Sequence, residues 1–140
     1  MRILLDTNIL ISGILSAGSP PARLLDLWLD RKLELVTSQF QLDELRGVLA
    51  RPKLARRIEA AESTRLLENL GRESIRARNL PVVDVSPDPA DNHILATAIA
   101  GRAELIVSGD RAGMLELREV AGIPIVTARE ALERLGVDRE

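Results

Sequence analysis

The sequence predicts an α/β fold, a three-layer α/β/α sandwich with a mostly parallel central sheet of about five strands. Three observations carry that expectation. Short apolar runs alternate with segments of helical periodicity along the whole chain. The connections between the runs are too long for hairpins, so the strands they join should be parallel and crossed over by helices. Two runs, Ile3-Leu4-Leu5 and Leu105-Ile106-Val107, lead into carboxylates, directly at Asp6 and through Ser108-Gly109 at Asp110. In open sheets of this class ligands bind beyond the carboxyl ends of the strands. With 140 residues and no linker or internal repeat, one domain over residues 1–140 is expected.

Residues 3–5 form the first strand, and Ile9, Leu10, Ile11, Ile14 and Leu15 favour a short helix over residues 8–16, capped by Thr7 or Asn8. Gly18-Ser19-Pro20-Pro21 breaks the chain, and Ser19 followed by proline opens a second helix that ends near Asp30. Residues 33–36 read as a strand, and Thr37 or Ser38 caps a third helix running to Leu49. Pro52 forces a break. Residues 53–78 predict two charged helices divided near residues 60–63, with Ser63 as a cap. Residues 81–85 read as a strand and Ser86-Pro87-Asp88-Pro89 as a rigid turn. A helix over 90–100, a strand over 105–107, a short helix within 111–120, a turn at Gly122, a strand over 123–126 and a helix over 128–135 complete the chain. Disorder is expected only in the last few residues.

Composition narrows the function. The chain has no cysteine, which excludes disulfides and zinc-thiolate sites and suits a reducing compartment, with the cytoplasm expected. Asp6 interrupts any resemblance to a signal peptide, and no apolar run approaches the ~20 residues of a membrane span. Net charge is −2, yet residues 46–78 carry nine basic against four acidic side chains, +5 locally, which leaves −7 for the remainder. Such segregation suits a protein that attracts a polyanion with one surface and holds an acidic centre elsewhere, although charge runs are also often mere solvated helix faces. Trp28 and Phe40 are the only aromatics, so a stacking platform for single-stranded bases is not expected.

Helical geometry places Asp91 near the centre of the stripe marked by Ile94, Leu95, Ala98 and Ile99. It is either a cap favoured by the helix dipole or a site residue facing the strand ends, and spacing leaves both open. His93, the single histidine, falls on the opposite, outer face. Glu44 sits at the margin of its helix's apolar stripe, and Asp43 faces further out. If Asp6, Glu44, Asp91 and Asp110 converge, two carboxylates ~5 Å apart repel by roughly 3 kcal/mol at an effective dielectric of 20. Such a cluster traps protons or recruits a cation. All-oxygen ligands favour Mg2+ or Mn2+ over zinc, and the matching chemistry is hydrolysis of a phosphodiester by an activated water.

Leu5-Asp6-Thr7-Asn8, Asp43-Glu44-Leu45, Asp88-Pro89-Ala90-Asp91-Asn92 before Leu95-Ala96, and Ile106-Val107-Ser108-Gly109-Asp110 follow one another in an order and spacing that resembles the PIN-domain family. The likeness is greatest to the toxin ribonucleases of bacterial and archaeal toxin-antitoxin pairs. The resemblance implies a PIN-like fold and a metal-dependent endoribonuclease acting on RNA. It puts Asp6, Glu44, Asp91 and Asp110 at the family's acidic positions, with Asp6, Asp91 and Asp110 holding Mg2+ (or Mn2+) and Glu44 completing the pocket. Thr7, Asn8 and Ser108 would be supporting residues, Ser108 standing where members commonly carry threonine; Asp88 is a reserve candidate. The resemblance also implies a homodimer and a small antitoxin protein as partner. Within the basic segment, Arg46, Arg51, Lys53, Arg56 and Arg57 are the RNA-binding candidates. A non-catalytic RNA- or protein-binding module on the same fold is the main alternative. An aspartate-phosphorylated receiver or phosphatase ranks third, because Asp6-Thr7-Asn8 lacks a second aspartate and Lys32 and Lys53 follow no late strand.

Overall fold

A computed structural model describes residues 1–136; residues 137–140, the tail in which disorder is expected, lie outside the described residues. Six strands form one sheet: β1 (Arg2–Leu5), β2 (Glu34–Thr37), β3 (Ile75–Arg76), β4 (Leu105–Val107), β5 (Glu119–Val120) and β6 (Ile123–Val126), in the order β3-β2-β1-β4-β6-β5. All neighbours pair in parallel except β5 with β6. The helices are α1 (Thr7–Leu15), α2 (Pro20–Leu29), α3 (Gln39–Leu49), α4 (Pro52–Ala55), α5 (Ala60–Glu73), α6 (Pro89–Ala100), α7 (Met114–Leu117) and α8 (Ala128–Arg134).

Strand alternation sorts the core into two layers. Ile3, Leu5, Leu35, Leu105 and Val107 pack on one face with residues of α1, α2, α3, α5 and α8, while Leu4, Val36, Ile106 and Ile125 pack on the other with α6 and Met114 of α7. Successive strand residues point to opposite faces, so a strand apolar at every position must be covered on both. The expected three-layer α/β/α architecture is therefore present, with six strands rather than five. Among the described residues no helix is long and apolar enough to cross a membrane.

Two stretches differ from the sequence expectation. Residues 81–85 form no strand. Asn79 takes φ 55° and turns the chain off the sheet edge, Pro81 offers no N–H, and Val82 is 98% exposed. β-branched residues favour strands only where a sheet accepts them. The strand falls earlier instead, because α5 stops at Glu73 and Ile75–Arg76 pairs with Val36 and Thr37, within a stretch whose charge pattern suggested helix to residue 78. Glu59, not Ser63, occupies the N-cap position of α5. At the other edge β5 adds a hairpin that the sequence pattern did not suggest. Its central residues Ala121 and Gly122 have φ 48° and 79°, the two positive values of the tight turn that suits strand twist.

The topology fixes where a site can lie. β1 and β4 are adjacent with Leu5 opposite Val107, and the Asp6 N–H extends the ladder to the Val107 carbonyl at 2.9 Å. Asp6 and Ser108 thus leave the sheet side by side at its carboxyl edge.

Candidate active site

Asp6 is the N-cap residue of α1, in place of Thr7 or Asn8, but its side chain makes no capping hydrogen bond. Instead Oδ2 accepts a 3.1 Å bond from the Ser108 hydroxyl, and the side chain is buried at 8% exposure. Ser108, fully buried, also accepts from the Asp110 N–H at 3.1 Å. One hydroxyl therefore sets both the rotamer of Asp6 and the path of the chain at Asp110. Beneath them the buried Gln41 donates from Nε2 to the Leu5 carbonyl at 2.7 Å and accepts from the Thr37 hydroxyl at 2.7 Å, tying α3 to the ends of β1 and β2.

Glu44 reaches the same place from α3. Its Oε1 accepts from the Thr7 hydroxyl, whereas the exposed Asp43 is engaged on its own helix by Gln39 and Arg46. Asn8 is exposed at the start of α1.

The two readings open for Asp91 separate here. Asp88 is the cap of α6, accepting from the Ala90 N–H at 2.9 Å, which leaves Asp91 free of that task. Its Oδ2 accepts from Ser86 Oγ at 3.2 Å. Asn92 clasps the preceding turn, its Oδ1 accepting from the N–H groups of Val85 and Ser86 and its Nδ2 donating to the Ser86 carbonyl at 2.8 Å. Asp110 is exposed and accepts from the Gly113 N–H at 3.1 Å. Asp88, Asp91, Asp110 and Glu116 line a common cleft of about 460 Å³ with Ser86 and Gly113. Sequence reasoning read residues 86–89 only as a turn and passed over Ser86, Gln41, Gly113 and Glu116. A serine ahead of Asp-Pro, with an asparagine six residues on, was the available sign of a side-chain-clasped turn.

Burial pushes the Asp6 carboxyl up to about 6; the Ser108 hydrogen bond opposes the rise, and the charge of Asp91 adds to it, as does that of Glu44. Burial likewise raises Asp91, opposed by Ser86 and reinforced by Asp88 and Asp110. The four acids thus share one field, and no described lysine or arginine pairs with Asp6, Glu44, Asp91 or Asp110. Among the described residues, however, no three acidic, histidine or cysteine side chains are arranged to enclose a metal ion.

Arg46, Arg51, Lys53, Arg56 and Arg57 are all exposed, on the C-terminal half of α3 and around α4. They do not line the acidic cleft, and Arg46 is paired with Asp43 at 3.4 Å.

Similarity extends to known proteins. Among solved structures the chain is similar to VapBC2 from Rickettsia felis bound to a DNA fragment from their promoter, at 16% identity and TM-score 0.57, over 89% of this chain and 97% of that one. It is also similar to FitAcB from Neisseria gonorrhoeae, at 20% identity and TM-score 0.53, over 91% and 98%. FitAB bound to the IR36 DNA fragment matches at 18% identity and TM-score 0.52, over 90% and 94%. No curated protein matches in sequence. At these identities the structures speak for a shared fold. The family model described as PIN domain matches residues 2–112, a span that contains β1, α3, α6 and β4 with the acidic side chains they carry, and the chain belongs to the PIN domain family.

Proposed function

We propose that the chain is a metal-dependent endoribonuclease that hydrolyses RNA phosphodiester bonds, acting as the toxin of a toxin-antitoxin pair. The observation that supports this reading is the approach of acids from separate elements to the carboxyl edge of β1 and β4, with Asp6 on Ser108, Glu44 on Thr7 and Asp91 with Asp110 in one cleft, and no basic partner for them among the described residues. Carboxylates held together in a partly dry place need a cation or protons.

The donor set fits a hard divalent ion in chemistry, being all oxygen. Among the described residues no three of these side chains are arranged to enclose an ion, so the protein would supply only part of its coordination. Asp6, Asp91 and Asp110 are the residues that would hold Mg2+ or Mn2+. When bound, the ion supplies activation of a water and neutralisation of charge on the phosphate. Ser108 fixes the Asp6 carboxylate by its hydrogen bond, Ser86 does the same for Asp91 in the cleft, and Thr7 holds Glu44 where it can orient a proton-bearing group. A homodimer, a small antitoxin partner and a cytoplasmic location belong to the same reading; likeness to VapBC2 and FitAB supports the antitoxin.

Purified protein is expected to cut RNA with Mg2+ or Mn2+ and to stop with chelator, and Asp6→Asn to fold normally and lose the activity. Persistent cleavage by that variant would sink the assignment. The lack, among the described residues, of three such side chains arranged around an ion favours a second reading, a non-catalytic PIN-fold RNA- or protein-binding module. Calorimetry showing no Mn2+ binding, with RNA binding indifferent to chelator, would select it.

A further inference from the structure

The fold brings together residues that the low aromatic count had set aside. His93 on α6 and Phe40 on α3 stack with ring centroids 4.2 Å apart and planes at 19°. Phe40 is half-buried and His93 is exposed. Two grooves flank the pair. One of about 390 Å³ is lined by Phe40, Arg76, Arg78 and Asn79; the other, of about 300 Å³, is lined by His93 with Pro81 and the fully exposed Val82. Volumes of this order sit at the lower end of those that hold small planar ligands. Arg76 is tethered to the Gly71 carbonyl at 3.2 Å, and Arg78 is exposed without an ion pair among the described residues.

Position gives the pair its meaning. His93 lies two residues beyond Asp91 on α6, so its side chain projects about 200° around the helix from that of Asp91, and the groove it lines adjoins the far side of the helix that borders the acidic cleft. A polyanion approaching the acidic cleft is repelled there and needs both a cation and a non-electrostatic hold close by. Stacking on an aromatic face supplies such a hold for any base, and arginine beside it adds charge and a planar partner.

We propose that Phe40, His93 and Arg78 form a base-stacking subsite for single-stranded RNA, holding an unpaired base of a strand that passes around α6 to the acidic cleft. The inference rests on the ribonuclease reading for its choice of ligand. A protein partner seated on the same surface is the competing occupant, but a flat ring pair beside arginines matches a nucleobase better than an apolar side chain.

The test uses the full chain carrying Asp6→Asn, so that binding is read without cleavage, and a short single-stranded oligoribonucleotide containing 2-aminopurine, whose fluorescence falls on stacking. Adding His93→Ala should abolish the quenching and weaken binding about tenfold, within the range measured for loss of one stacked base; His93→Phe should restore both. Phe40→Leu, which keeps apolar packing, should behave like His93→Ala. Arg78→Gln should weaken binding and flatten its salt dependence. Unchanged quenching and affinity in His93→Ala would overturn the proposal. Failure of the ribonuclease reading would show separately, as a wild type that quenches the probe but cleaves no RNA.

Discussion

Asp6 carries a cost that its hydrogen bonds only partly offset. Its carboxyl is raised from 3.8 to about 6, first by burial and then by the charges of Asp91 and Glu44. Between those values the folded chain binds more protons than the unfolded one, so stability falls as pH rises through the window, and the full penalty stands above it. The displacement corresponds to about 3 kcal/mol. Asp6→Asn keeps an acceptor for Ser108 and removes the charge. In chelator at pH 7.5 it should therefore be more stable than wild type by about 1–3 kcal/mol in urea unfolding, and the gap should close towards pH 4. A gap equal at both pH values would mean that packing, not ionisation, sets the difference. Asp91 is raised by burial in the same sense, so Asp91→Asn should shift stability in the same direction.

At the scale of elements, the site depends on two clasped turns. Asn92 satisfies three backbone groups of residues 85–86, and through Ser86 it fixes Asp91. Asn92→Ala should cost about 1–3 kcal/mol of stability, since it leaves those groups without their partner, and should lower cleavage as Asp91 loses its anchor; chemical denaturation and initial rates measure the two effects. After β4 the clasp is Asp110 around Gly113. A Cβ at Gly113 would meet Asp110 Oδ2 at 2.2 Å, so Gly113→Ala must turn the Asp110 carboxylate away. Because that carboxylate is exposed, the expected result is a large loss of cleavage with little change in melting temperature. Equal losses in both would point to a collapse of α7 instead.

For the whole molecule, a divalent ion held by Asp6, Asp91 and Asp110 should stabilise the fold by mass action. An ion at about a hundred times its Kd contributes about 2.7 kcal/mol, a rise of roughly 5–10 °C for a domain of this size. Thermal denaturation with Mn2+ against chelator should show it for wild type and not for Asp6→Asn. The layered fold was legible in the sequence because the central strands carry unbroken apolar runs, 3–5 and 105–107, and several helices start at a visible cap, as those after Ser19 and Ser38 do. What escaped depended on long-range geometry. Pro81-Val82-Val83 has the composition of a strand, and only Asn79 and the missing N–H of Pro81 hint locally that no neighbouring strand receives it. Likewise the sheet partners of β3 and β5 are needed before two-residue segments read as strands. The acids could be named from spacing, whereas the serine and asparagine that orient Asp91 emerge only once the turn folds back on α6.

Those two-residue segments have a consequence of their own. β3 and β5 are the borders of the sheet, and each is too short to template the addition of a foreign strand, the usual hazard of an open sheet. Strand exchange and fibril-like stacking are thereby discouraged at both ends. A partner this chain recruits is then more readily met on its helices and turns, which carry most of its charge.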